Sequence, residues 1–175
     1  MFAGVRRSSV LVHDQIVNPF DVRPALAPAF SVTAGLPLDN PWHASAAIDV
    51  STSELRREDF GGGTQPITHL TAAAVSVGLS RTLKSWMSGS LRIGAIKYLP
   101  SQDLGLFQAG GPFFPLAQIA VDVIPPFAAR YGLALEVNAD VHKFITDALR
   151  TEGFTESRGV VRIAVGVSWT PGSHP

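Results

Sequence analysis

Apolar and polar residues alternate with a period of two along most of this chain. The clearest segment is the last, where Val161, Ile163, Val165, Val167 and Trp169 are separated by Arg162, Ala164, Gly166 and Ser168. A strand turns successive side chains to opposite faces, so this pattern predicts one apolar and one small or polar face. Residues 131–142 repeat it, with Tyr131, Leu133, Leu135, Val137 and Val141 set against Glu136, Asn138, Asp140 and His142. The same reading predicts strands over 113–124, 87–99, 70–80, 42–53 and 25–38. Ser9 to Val17 has a strand-like composition without clean alternation. It is taken as a strand over 9–17 because a closed antiparallel barrel needs an even count, and the last strand is placed over 160–170.

The connections sort by length. Short ones fall at Asp39-Asn40-Pro41, Lys84-Ser85 and around Pro126-Phe127-Ala128. Longer ones run through Arg56 to Thr68 with its three glycines, Pro100 to Pro112 and Lys143 to Arg158, with Asn18 to Arg23 a shorter member of that set. Strands that run up and down put every second connection at the same end, so short turns gather at one end and long loops at the other. Transmembrane barrels have this asymmetry. The expectation is a single all-β domain over 1–175: a closed, antiparallel, up-and-down transmembrane β-barrel of eight strands with both termini at the short-turn end.

Composition bears on which face meets what. Hydrophobic residues make up 46% of the chain and charged residues only 16%, against roughly 25% in ordinary soluble domains. No window approaches the roughly 18 consecutive apolar residues of a transmembrane helix, so contact with lipid would be made by strands. The non-apolar face is mostly Ala, Gly, Ser and Thr, and there are only three lysines, Lys84, Lys97 and Lys143. A water-facing surface would be richer in charge. Trp42, Trp86, Tyr131 and Trp169 all fall near the short-turn end and form a candidate girdle of membrane-interface aromatics, with Phe30, Phe113 and Phe144 as a second belt. The net charge is zero and the basic residues are scattered, which excludes a nucleic-acid groove. Met1 to Ser9 carries no export signal of its own, so any such signal is expected to have been removed or to lie upstream.

With strands, turns and girdle in place, the chain resembles the small outer-membrane β-barrel proteins of Gram-negative bacteria, the OmpA/OmpX type, over about residues 9 to 171. The segment Val160 to Trp169 looks like the C-terminal signature that the barrel-assembly machinery reads in that family. A terminal aromatic is usual there, whereas here Trp169 is followed by Thr170 to Pro175. The resemblance implies an outer-membrane location, surrounding lipid and the assembly machinery as a partner in biogenesis. The expected state is a monomer. The family spans adhesins, small pores and lipid-modifying enzymes, so the fold leaves the role open.

Parity points Asp49, Arg92, Asp122, Glu136, Asp140 and Arg162 inward, where isolated charges would be costly and a paired network is the allowed arrangement. Arg92 and Arg162 are each expected to reach one of these carboxylates. The leading expectation is a plugged barrel with a structural or surface-interaction role. A small passive pore, a lipid-acting enzyme and a soluble lipocalin-like ligand-binding barrel stand beside it. No catalytic set is assigned: His142 with Asp140, or His43 with Ser45, could supply a base and nucleophile. Lipid A deacylases, however, carry theirs on the lipid-facing wall, and these histidines have interior parity. No cofactor is expected, and the five histidines show no metal-ligand spacing.

Overall fold

The computed structural model describes residues 1–14, 19–103, 111–128, 131–151, 153 and 158–169. In chain order its elements are β1 (Phe2–Ser8), β2 (Val12–Asp14), β3 (Phe20–Pro24), β4 (Ala27–Pro37), β5 (Trp42–Asp59), β6 (Thr64–Lys84), β7 (Met87–Pro100), β8 (Phe114–Val123), β9 (Leu133–Phe144), the short helix α1 (Asp147–Thr151) and β10 (Arg158–Trp169). All pairings are antiparallel. Strands β1, β4, β5, β6, β7, β8, β9 and β10 form a ring of eight, with β10 returning to β1. No helix among the described residues is long and apolar enough to cross a membrane, which says nothing about strands.

Three connections lie at one end of the ring: Leu38 to Pro41, Ser85 with Trp86, and 124–132, part of which is outside the described residues. The first chain residues and Trp169 lie at the same end, where the Trp169 amide donates to the Met1 carbonyl at 2.7 Å. The ring is less complete here between β1 and β4. Register runs from Arg6 opposite Ala27 to Phe2 opposite Ser31, and β4 then continues through Val32 to Pro37 paired with β5 alone.

The first ring strand differs from expectation. It is β1, Phe2–Ser8, whereas the expected 9–17 strand contributes β2, which pairs with β3 outside the ring; 15–18 lie outside the described residues. The alternation Phe2, Gly4, Arg6 inward with Val5 outward is present but too short and too glycine-rich to stand out. The expected loop through Arg56 to Thr68 is also corrected. There β5 and β6 run on as a long hairpin of 18 and 21 residues that turns only at Phe60 to Gly63, with Gly61 at φ 102°. Its polar extension holds because β5 is paired on both sides, by β6 and by β3 from Pro24 opposite Leu55 to Phe20 opposite Asp59. Side chains add to this: Arg23 Nε donates to Glu58 at 2.9 Å, and the Arg57 guanidinium lies 4.1 Å from the centre of the Phe20 ring. Parts of the 100–112 and 143–158 loops, and residue 170 of the last expected strand, fall outside the described residues.

The two faces are sorted as the pleat requires. Along β5, Ser45, Ala47, Asp49, Ser51 and Ser53 are buried, while Ala46, Ile48 and Val50 face outward. Along β10, Val160, Arg162 and Ala164 are buried, with Val161, Ile163, Val165 and Val167 outside. The apolar face is the outer one. Phe144, expected in an outer belt, is instead buried inside against Phe114, ring centres 5.3 Å apart. Its even number in β9 gives it inward parity.

Close packing of the ring uses glycine at several inward positions, Gly78 and Gly94 on neighbouring strands among them. A methyl group on Gly94 would collide with the Val75 carbonyl oxygen, and one on Gly78 with that of Leu91. Backbone cannot yield as a flexible side chain can, so Gly94→Ala is expected to lower the unfolding free energy by about 1–3 kcal/mol or more in urea titration. Gly63→Ala, which meets nothing within 4 Å, is expected to change it by less than about 0.5 kcal/mol. Equal effects would refute the close-approach argument.

Candidate functional site

The interior of the ring is built in three tiers. At the long-connection end, inward positions are apolar: Leu55, Leu70, Ile96, Phe114, Phe144 and Val160 pack into one cluster. The segment joining β1 to β4 supplies Leu11, Val12 and Val22 to the same cluster, and α1 supplies Leu149. This segment and the helix thus help fill this end with a small hydrophobic core.

Below it lies a tier of ion pairs. Arg162 and Asp140 are direct register partners on β10 and β9, and the guanidinium forks onto the carboxylate, Nε to Oδ1 and a terminal NH2 to Oδ2, both at 2.9 Å. His142 Nδ1 lies 3.5 Å from Asp140 Oδ1, while its Nε2 is hydrogen-bonded to the Tyr98 hydroxyl at 2.8 Å. Arg6 donates to Asn138 Oδ1 at 3.1 Å and to Asp49 Oδ1 at 3.5 Å. Gln118 Nε2 donates to Asp49 Oδ2 at 3.4 Å, and Gln118 Oε1 accepts from the Ser76 hydroxyl at 3.1 Å. Two guanidiniums therefore face two carboxylates, and the Gln118 amide donates to one of these, which lowers the cost of burying the charges, while Arg6 Nε and Nη1 and Arg162 Nη1 have no partner among the described residues.

The third tier is a cavity of about 380 Å³ at the short-turn end. Arg92, Asp122, Glu136, His43, Ser45 and Ser90 are among its lining residues. Asp122 accepts from Ser88 at 3.2 Å and from Ser168 at 3.1 Å, and Glu136 accepts from Asn138 at 3.0 Å.

The six charges expected inside thus occupy different tiers. Asp49, Asp140 and Arg162 are in the ion-pair tier, while Arg92, Asp122 and Glu136 border the cavity. The expected carboxylate partner of Arg92 is not there: among the described residues its one hydrogen bond is from Nη1 to Thr33 Oγ1 at 3.3 Å. Register explains why. The ladder neighbours of Arg92 are Gly78 and Gln118, neither of them acidic, and strand stagger separates residues that equal counting from the turns had placed at one height. Sequence reasoning also missed Arg6, Tyr98, Gln118 and Asn138. The last three have the same inward parity as the charges and could have been found by it, whereas Arg6 lay in a segment read as preceding the first strand.

On the outside, Trp42, Trp86, Tyr131 and Trp169 are all exposed at the short-turn end. Two carry a cation over the ring, Arg81 at 5.1 Å on Trp42 and Lys84 at 5.2 Å on Trp86. Toward the other end, Lys97 lies 5.0 Å from the centre of the exposed Phe113 ring.

Among the described residues, neither pair considered for catalysis is arranged for it. The Tyr98–His142–Asp140 chain is sealed from solvent, and Ser45 Oγ has no hydrogen-bond partner, so it is not activated by His43. Comparison with known family models, curated proteins and solved structures finds no match.

Removing one member of a dry pair strands the other. Asp140→Ala is expected to destabilise by about 3–5 kcal/mol. Glu136→Ala, beside the cavity and with one hydrogen bond to lose, should cost at most about 1.5–3 kcal/mol. Urea unfolding of both variants tests this, and a larger loss for Glu136→Ala would refute the tiered assignment.

Proposed function

We propose that this chain is an integral β-barrel protein of a bacterial outer membrane, of the OmpA/OmpX kind, with its ring closed across the bilayer, its short turns periplasmic and its interior plugged. Its role in this reading is structural or surface-interacting. The observation that carries the proposal is the inverted polarity of the wall: Ile48, Val77, Ile93, Leu135 and Val165 are outside while Asp49, Asp140 and Arg162 are inside. In water, each such apolar side chain left exposed forgoes about 1.5–3 kcal/mol of burial, and lipid removes that penalty. A lipocalin-like barrel would need the opposite sorting.

Two further features support the reading. Cation-carrying aromatics stand near both ends of the outer wall, and on β7 the stretch between Trp86 and Lys97 matches the roughly 9–11 tilted residues that cross a bilayer. At the long-connection end the β5–β6 hairpin, widened by β3 and β2, projects a charged sheet suited to contacts outside the membrane. The apolar tier above a paired-charge tier argues against a conducting path.

Purified chain is expected to require detergent and to insert into phosphatidylcholine vesicles, where brominated acyl chains quench its tryptophan fluorescence. A monodisperse, lipid-indifferent monomer in buffer would overturn the proposal. In planar bilayers the inserted protein should give no discrete conductance steps, and a steady open channel would replace the plugged reading with the pore.

A further inference from the structure

We propose that the outer wall carries a seat for one anionic phospholipid, with its phosphate at Arg81 and one acyl chain in a shallow groove across β4 to β7. This inference rests on the membrane reading and adds a fixed lipid to it. The groove offers about 490 Å³, and Val32, Ala34, Ala46, Ile48, Val77 and Ile93 are among the residues lining it. Register explains why the wall is low there. Ala34 on β4 is opposite Ala46 on β5, so two methyl groups meet between rungs that carry Val32 opposite Ile48 on one side and Leu36 opposite Ala44 on the other. Across β6 and β7 the same row rises, because Ala46 is opposite Val77 and Val77 is opposite Ile93. The result is an apolar depression bordered by bulkier outward side chains.

Charge supplies the other half of the seat. Arg81 shares the outer face of β6 with Val75, Val77 and Leu79, is exposed, and lies over the ring of its register partner Trp42. Among the described residues it makes no ion pair, and neither does Lys84, which lies over Trp86. Two unneutralised cations beside two interface aromatics attract an anionic headgroup. The distance fits as well. Val75 is at the end of the groove farther from the short turns, about 20 Å along β6 from Arg81, and a strand tilt of roughly 40° makes that about 15 Å of depth. One leaflet contributes about the same length to a hydrocarbon core of roughly 30 Å, so a chain whose phosphate meets Arg81 would end beside Val75 and Ala95. A free phosphate would leave the groove empty, and an uncharged tail would leave both cations unmatched.

The test places the protein in phosphatidylcholine nanodiscs with a minor fraction of phosphatidylglycerol, spin-labelled near the ester end or near the methyl end of one chain. Paramagnetic broadening is followed by NMR. The methyl-end label is expected to broaden Val75 and Ala95 most, and the ester-end label Leu79 and Arg81. Both effects should exceed those at Leu135, Val137 and Ile163, on β9 and β10 across the ring. Arg81→Gln should reduce the preference for phosphatidylglycerol over equally labelled phosphatidylcholine by about fivefold. Ala46→Leu, which keeps the wall apolar, should abolish the excess broadening at Val75 and Ala95 while Arg81 keeps its contact with the headgroup. Broadening that is even around the ring, equal for the two lipids or unchanged in both variants overturns the proposal, as does a dimer of this chain that covers Ala46 from lipid. Protein that inserts with an even lipid shell overturns this inference alone, whereas protein that stays in buffer as a lipid-indifferent monomer overturns the membrane reading and the seat with it.

Discussion

Strand pleating sends every second side chain into a ring too narrow for bulk water across its middle, and charged groups placed there have to satisfy one another. The Arg162–Asp140 fork is where that constraint is met most completely, because the two residues are direct register partners and the guanidinium and carboxylate planes can align. Other contacts follow from it. Asp140 also faces His142, His142 holds the Tyr98 hydroxyl, and the Tyr98 ring packs edge-on against Phe144. A continuous chain of contacts thus leads from the ion-pair tier into the hydrophobic cap, and the register of β9 against β10 fixes both.

The alternation that made seven of the ring strands legible is the same physical signal that the folded wall displays. Val161, Val165 and Val167 could be assigned to one face because Arg162, Ala164 and Gly166 alternate with them without a break. The signal faded where both faces share one character. Phe2 to Ser8 mixes glycine, arginine and short apolar residues over only seven positions, and one of its two partner strands is distant in sequence: Gly4 pairs with Gly166. Arg56 to Thr68 read as a loop because its strands are polar on both faces, yet pairing on both edges of β5 stabilises it without an apolar face. Heights inside the ring were not legible either. Parity tells which way a side chain points, but stagger between strands decides which inward residues meet, and that is why Arg92 lies beside Gly78 and Gln118 instead of a carboxylate.

The interior is consequently asymmetric along its axis, and the asymmetry has a topological source. At the short-turn end the connections are mostly tight, they add little to the interior, and the space among Ser, Thr and a few charged side chains stays open as a cavity. At the other end the chain between β1 and β4, paired along the extension of β5, adds Leu11, Val12 and Val22 to the cluster that holds Leu55 and Leu70, and α1 adds Leu149. A solute entering from the short turns would reach Arg92 first, then the fork between Arg162 and Asp140, and beyond it a packed cluster of aliphatic and aromatic side chains. Each later step demands more than the one before: rearranging a solvated wall, separating a buried ion pair at a cost of about 3–5 kcal/mol, and opening a hydrophobic core. In the plugged barrel proposed above, the energetics rise in one direction only, which favours a chamber with one mouth over a channel with two.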